Sequence, residues 1–166
     1  MTEKLCGALL LTLSGFLAGF AVRRELNARA RTLSALAEAL ARMRTEITLR
    51  LLPLPDLMAS EAAGPDAPSR AFFETLCRRY AETASFEDAW AAALDRLALP
   101  EAAESLSGLG RVLGQCDAES QGRALDYARE RLLEAAEGAR ETASVRCSLA
   151  LRLLPGIAAM LAILLW

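Results

Sequence analysis

An uncharged apolar segment near the N-terminus constrains the fold more than any other feature. Residues 5–22, "LCGALLLTLSGFLAGFAV", contain eighteen consecutive positions without a charge. As a helix rising about 1.5 Å per residue, this segment nearly crosses a hydrocarbon core of about 30 Å. A cleaved signal peptide is the main alternative, but the apolar run is long for one, and Arg23 and Arg24 follow at once. We therefore predict a retained transmembrane segment over residues 1–23.

A second apolar segment, "LLPGIAAMLAILLW", covers residues 153–166. Fourteen residues are short for a span, so a short core helix that docks on the rest of the protein is the alternative. The preceding "SLAL" lengthens the segment if the side chain of Arg152 reaches the lipid headgroups. Trp166 would then lie at the opposite membrane–water interface, where tryptophan is favoured. We predict a second transmembrane segment here.

Arginines are concentrated on the inner sides of both apolar segments. Four follow the first segment within residues 23–31, and three precede the second within residues 140–152. The positive-inside rule then places residues 24–152 in the cytoplasm and both termini across the membrane. The four cysteines form no CxxC motif, which fits a reducing compartment. A net charge of −2 gives no reason to expect nucleic acid as a partner.

The residues between the apolar segments favour helix throughout. Alanine, leucine, arginine and glutamate dominate, and aromatic residues make up only 5% of the chain. An a/d stripe predicts one long helix up to about residue 52, and a second stripe predicts another long helix from Asp117 onward. The first stripe is Leu26, Leu33, Leu36, Leu40, Met43 and Ile47, and the second includes Leu125, Tyr127, Leu132, Ala136 and Ala143.

Prolines divide the chain between the two stripes into short helices. Pro53 and Pro55 end the first long helix, Pro55 opens a short one, and Pro100 opens another. We predict an all-α, membrane-anchored antiparallel bundle of about six helices. Its two long helices continue into the N- and C-terminal membrane segments.

The glycine-rich stretch "GLGRVLGQCDAESQ", residues 108–121, superficially resembles a nucleotide loop. Its spacing is GxGxxxG, however, and it has neither the lysine nor the preceding strand of a phosphate-binding loop. We interpret it as a joint between helices, in which Gly110 and Gly114 present a small face. Gly114 is then a left-handed C-terminal cap, Asp117 caps the next helix, and Gln121 bonds neighbouring backbone. Similarly, Gly15 and Gly19 form a GxxxG packing motif in the first membrane segment.

The absence of histidine argues against a catalytic or metal site. Histidine is the commonest general base and the commonest zinc ligand, and the chain contains none. The serine-nucleophile motif GxSxG is also absent. We expect no enzyme activity, no metal and no cofactor.

The chain resembles the stage III sporulation protein AB family of endospore-forming bacteria. The resemblance rests on "GFLAGFAVRRELNARARTL", "EITLRLLPLPDLM", "LGRVLGQCDAESQ" and the long helix with a short hydrophobic C-terminus. The matching motif positions are Glu46, Ile47, Pro53, Leu54, Pro55, Leu113, Gly114, Asp117 and Gln121. The similarity covers nearly the whole length, although arginine replaces the lysines that many members carry in their long helices.

The resemblance implies a non-enzymatic adaptor. Members of the family belong to a channel apparatus between mother cell and forespore, and their soluble domain is similar to platform proteins of type II secretion and type IV pilus machines. By that analogy the chain lies in the mother-cell membrane facing the forespore. It couples a hexameric, secretion-type cytoplasmic ATPase to other membrane proteins of the channel, and it is a possible homo-oligomer. The alternative is a membrane-anchored helical scaffold or signalling hairpin with no ATPase partner.

Overall fold

The chain folds as helices joined by short connections. The computed structural model describes the backbone of residues 2–50, 52–83 and 85–165, and the side chains of residues 20–50, 52–83 and 85–145. No strand occurs within these backbone ranges. The prediction of an all-α bundle is therefore confirmed.

The first and last helices are long, and the five helices between them in the sequence are short. The described helices are α1 (Thr2–Thr45), α2 (Leu54–Ala62), α3 (Ala67–Thr83), α4 (Phe86–Leu97), α5 (Pro100–Leu106), α6 (Leu109–Val112) and α7 (Ala118–Leu165). A π-helical turn, Glu46–Arg50, follows α1 directly. Helices α2 and α5 each have a proline within their first two positions, where its missing N–H is not needed. Each of these two helices thus begins within one residue of the proline that the sequence predicts as its start.

The chain forms two compact units. One unit comprises Met1–Ala28 and Gly138–Trp166, and the other comprises Arg29–Glu137. The first is called the terminal unit below, and the second is called the central unit. The central unit holds the short helices together with residues 29–45 of α1 and 118–137 of α7.

The stripe on α1 supplies one wall of the core in the central unit. Leu33, Leu36, Leu40, Met43 and Ile47 are all at most 6% exposed, as their a/d spacing predicts. This burial is the main reason that the helix is stable here, because removing apolar surface from water drives helix packing.

Within the central unit, α1 and α7 run antiparallel. Arg44 pairs with Asp126, with its Nε 2.6 Å from Oδ2, whereas Thr48, further along the chain, lies beside the earlier residue Gly122. Gly122 is buried, and a Cβ placed on it would make ordinary van der Waals contact with Thr48, 3.7 Å from Oγ1. The antiparallel arrangement predicted for the long helices is present in this unit.

One residue of the predicted α7 stripe lies on the wrong face. Leu125, Leu132 and Ala136 are buried, but Tyr127 is 66% exposed. Tyr127 is two positions after Leu125, which turns its side chain about 200° around the helix axis. The prediction that Tyr127 contributes to the packed stripe is therefore wrong.

The short helices pack through an aromatic cluster. The ring of Trp90 makes an edge-to-face contact with Phe72 at a centroid distance of 5.3 Å and also contacts Phe86 at 5.6 Å. The Nε1–H of Trp90 donates to the carbonyl of Leu106 at 2.9 Å, so the buried indole has its hydrogen-bond partner. Ser85 caps α4, because its side-chain oxygen accepts a hydrogen bond from the backbone N–H of Asp88.

The two predicted membrane segments fall mostly outside the described side chains. Only residues 20–22 of the first segment have described side chains, and none of residues 153–166 does. Within the part of the chain that the structure describes, no helix is both long and apolar enough to cross a membrane.

Candidate functional site

Two segments about sixty residues apart in sequence meet at a pocket in the central unit. The pocket has a volume of about 180 Å³, and its lining is mostly apolar, with one amide side chain. The lining residues are Ile47, Leu52, Leu54, Gly114, Ala118 and Gln121. They come from the Glu46–Pro55 segment and from the turn that leads into α7, which are two of the segments singled out in the sequence.

The π-helical turn forms the first wall of the pocket. Ile47 is buried in the core, whereas Leu49 is 76% exposed at the surface. Glu46 accepts a hydrogen bond from Arg50 at 3.2 Å, between Oε2 and Nη1. The Thr48 hydroxyl donates to the carbonyl of Arg44 at 2.7 Å. Short π-helical insertions are rare and are frequently found at functional sites, because their wider turn changes the direction of the following side chains.

The proline segment turns the chain from this wall into α2. Pro53 has an extended backbone, with φ −58° and ψ 142°, and its carbonyl accepts from the N–H groups of both Asp56 and Leu57. Leu54 is the first residue of α2, and Pro55 is the second. The restricted backbone of both prolines fixes the direction in which Leu54 enters the pocket.

The turn before α7 forms the second wall. Gly114 has φ +83°, in the left-handed region that favours glycine, and the preceding Leu113 is buried. A Cβ placed on Gly114 would lie 3.3 Å from Cδ2 of Leu54, so the two walls touch at this point.

Polar groups fix the start of α7. The Oδ2 of Asp117 accepts from the backbone N–H of Ser120 at 3.0 Å, which is the geometry of an N-cap. The hydrogen bonds with Ser120 hold the pKa of Asp117 below its usual value. Gln121 donates from Nε2 to the carbonyl of Cys116 at 2.6 Å, which ties the first turn of α7 to the joint.

Gly110, the other glycine of the predicted joint, does not line the pocket. Gly110 packs on Trp90, because a Cβ placed on it would lie 3.1 Å from Cδ1 of the indole. Gly15 and Gly19 lie outside the residues whose side chains are described.

Sequence reasoning missed parts of this site. Leu52 and Ala118 line the pocket but were not singled out, since their positions depend on how α7 meets the π-helical turn. The exposure of Leu49 could be predicted from the sequence. Leu49 lies two positions after Ile47, the last residue of the a/d stripe, and therefore on a different face of the helix.

The lining has the chemistry of a contact surface. Its aliphatic side chains favour an apolar group, and Gln121 retains an amide oxygen that is free to accept a hydrogen bond. Among the described side chains, no three histidine, cysteine, aspartate or glutamate residues are grouped so that they could hold a metal ion.

A comparison with known protein families gives a match over nearly the whole chain. The model for stage III sporulation protein AB matches residues 4–166, which is nearly the whole chain. In two further comparisons, neither a curated protein nor a solved structure matched the chain.

Proposed function

Since the chain belongs to the stage III sporulation protein AB family, we propose that it is a non-enzymatic membrane platform protein of a secretion-like sporulation channel. Both termini cross the mother-cell membrane facing the forespore, and the central unit lies in the cytoplasm. There it couples a hexameric, secretion-type ATPase to the membrane components of the channel. The arginines on the inner sides of both apolar segments support this orientation.

The convergence of two motif segments on one pocket carries the proposal. Ile47, Leu54, Gly114 and Gln121 belong to the motif positions quoted above, and all four line the pocket. Packing accounts for Ile47, which is buried. It does not account for Leu49, which exposes an aliphatic side chain to water in the same π-helical turn that contributes Ile47 to the pocket. A partner that covers Leu49 and places an apolar group in the pocket would remove the Leu49 side chain and the apolar pocket lining from water.

We assign the ATPase contact to this pocket and to Leu49 of the π-helical turn. The π-helical turn and the proline segment hold the first wall, and the Asp117 cap holds the second. Because these constraints fix the backbone before binding, little conformational entropy is lost when a partner docks.

Co-purification tests both parts of the proposal. Tagged full-length protein is isolated in a mild detergent from sporulating cells, and the secretion-type ATPase is quantified in the eluate. Leu49→Ser should reduce ATPase retention several-fold, because it removes an exposed apolar contact. Tyr127→Ser is the matched control, since Tyr127 is also a large exposed side chain of the central unit but lies on α7, outside the π-helical turn.

The outcomes separate the role from the site. If the unmodified protein retains no ATPase while the channel still assembles, the platform role fails and a scaffold or signalling hairpin becomes the better explanation. If Leu49→Ser and Tyr127→Ser retain the ATPase equally well, the role stands but the π-helical turn is not the contact.

A further inference from the structure

The two units carry charges of opposite sign. The terminal unit contains six basic and three acidic residues, whereas the central unit contains thirteen basic and eighteen acidic residues. The net charge of −2 for the whole chain conceals this separation. A positive terminal unit on an acidic protein indicates that this unit faces an environment different from that of the central unit.

The described part of the terminal unit exposes both apolar and basic side chains. Phe20 is 60% exposed, and Val22 and Val145 are 38% and 49% exposed. Arg23, Arg24 and Arg140, close to them in sequence, are exposed as well. These six residues are called the basic apolar band below. Every residue from 20 to 25 is exposed.

The band matches the chemistry of a lipid interface. Guanidinium groups form bidentate hydrogen bonds with phosphate, and their alkyl stems, like phenylalanine and valine, favour the acyl boundary. Clusters of arginine beside a membrane segment attract anionic lipids, because each positive charge near the surface is drawn to the negative headgroups. The acidic central unit, by contrast, is repelled by an anionic surface.

We propose that the basic apolar band binds anionic phospholipid headgroups, with Arg23, Arg24 and Arg140 at the phosphates and Phe20 and Val22 among the acyl chains. The inference rests on the membrane placement in the proposed function and adds to it a headgroup preference. The lipid surface is chosen over a protein partner because Phe20 and Val22 form the end of the uncharged segment 5–22, and Arg23 and Arg24 follow them directly.

The test uses full-length protein in dodecyl maltoside micelles. Native mass spectrometry counts the bound molecules as dioctanoyl phosphatidylglycerol is added, with dioctanoyl phosphatidylcholine as the neutral headgroup and inorganic phosphate as the free anion. Phosphatidylglycerol should bind about tenfold more tightly than phosphatidylcholine. Arg23→Gln combined with Arg24→Gln should remove most of that preference, and the corresponding lysine variants should restore it.

A matched control uses arginines of the central unit. Arg78 in α3 and Arg96 in α4 are also exposed, and Arg78→Gln combined with Arg96→Gln removes the same number of charges. This control should leave the preference unchanged. Equal affinities for the two lipids, an equal loss in the control, or displacement by phosphate at the same concentration would each overturn the inference.

Membrane placement is measured separately. Extraction of native membranes with alkaline carbonate reports whether the protein is integral. If alkaline carbonate extracts the protein, the proposed membrane anchoring is wrong. If the protein resists extraction but shows no headgroup preference, only the proposed role of the basic apolar band is wrong.

Discussion

The indole of Trp90 lies directly against the backbone of Gly110. A Cβ placed on Gly110 would lie 3.1 Å from Cδ1, 3.2 Å from Cγ and 3.3 Å from Cβ of Trp90. The ring has little freedom to move away, because it is 1% exposed and its Nε1–H is bonded to Leu106. This contact fixes how closely α6 approaches α4.

Gly110→Ala should therefore destabilise the protein. Adding one methyl group to a packed position typically costs about 1–3 kcal/mol when the neighbours must shift. The free energy of unfolding is measured on full-length protein in dodecyl maltoside, by guanidinium chloride denaturation followed with far-UV circular dichroism. Gly108→Ala is the control, since nothing lies within 4 Å of its Cβ position. An equal effect of both substitutions would contradict the role of the Trp90 contact.

Gly114→Ala should also destabilise the protein, but through the backbone. The φ of +83° lies in the left-handed region, where a side chain costs about 1–2 kcal/mol. Gly114→Asn adds the same Cβ beside Leu54, yet asparagine tolerates this conformation better. Asparagine should thus be less harmful than alanine in the same denaturation measurement. If the two variants are equally destabilised, the contact with Leu54 is the cause and not the backbone.

The elements that the sequence predicts best are those set by local periodicity and by proline. The stripe from Leu33 to Ile47 needs only the 3.6-residue repeat, and Pro100 opens α5 through its own geometry. The pocket is different, because Leu54 and Gly114 meet only once α1 and α7 have packed in one register. A single sequence holds no pairwise information of that kind, so Leu52 and Ala118 could not be identified.

The same limit applies to polar contacts between helices. Glu61 is buried and pairs with Arg42 of α1, with Oε2 and Nη2 2.8 Å apart. From the sequence alone both residues are predicted to be exposed, since charged residues are rarely buried without a partner. Only the packing of α2 on α1 shows that one of them is enclosed.

Arg42→Ala should cost much more stability than removal of a surface ion pair. The Glu61 side chain is only 6% exposed, so without Arg42 its charge would be enclosed and unpaired. Breaking a fully buried pair costs about 3–5 kcal/mol, and the 37% exposure of Arg42 reduces the expected loss to about 2 kcal/mol. Arg79→Ala is the control, because its pair with Glu82 is exposed on both sides and should contribute less than about 1 kcal/mol. Similar losses in the two variants would show that Glu61 is solvated.

The Asp117 cap should make stability depend on pH only in acid. Its hydrogen bonds with Ser120 lower the pKa of Asp117 in the folded state below the ordinary value of 3.8. A group with a lowered folded pKa stabilises the protein fully above its unfolded pKa, and this contribution is lost as pH falls through the folded pKa. Asp117→Asn retains a capping side chain and cannot ionise, so the difference in melting temperature between it and the unmodified protein should change below about pH 4. A difference that stays constant from pH 7 to pH 3 would contradict this prediction.

Gly138→Ala should stabilise the protein, in contrast to the substitutions at Gly110 and Gly114. Gly138 lies inside α7, is exposed, and has nothing within 4 Å of its Cβ position. Alanine in an exposed helix interior is favoured over glycine by about 0.5–1 kcal/mol, because it loses less backbone entropy on folding. The hydrogen bond from the Thr142 hydroxyl to the carbonyl of Gly138 involves only backbone at this position and should remain. Unfolding of full-length protein in dodecyl maltoside checks the gain, and a loss of stability would mean that the open side of Gly138 is covered by another molecule.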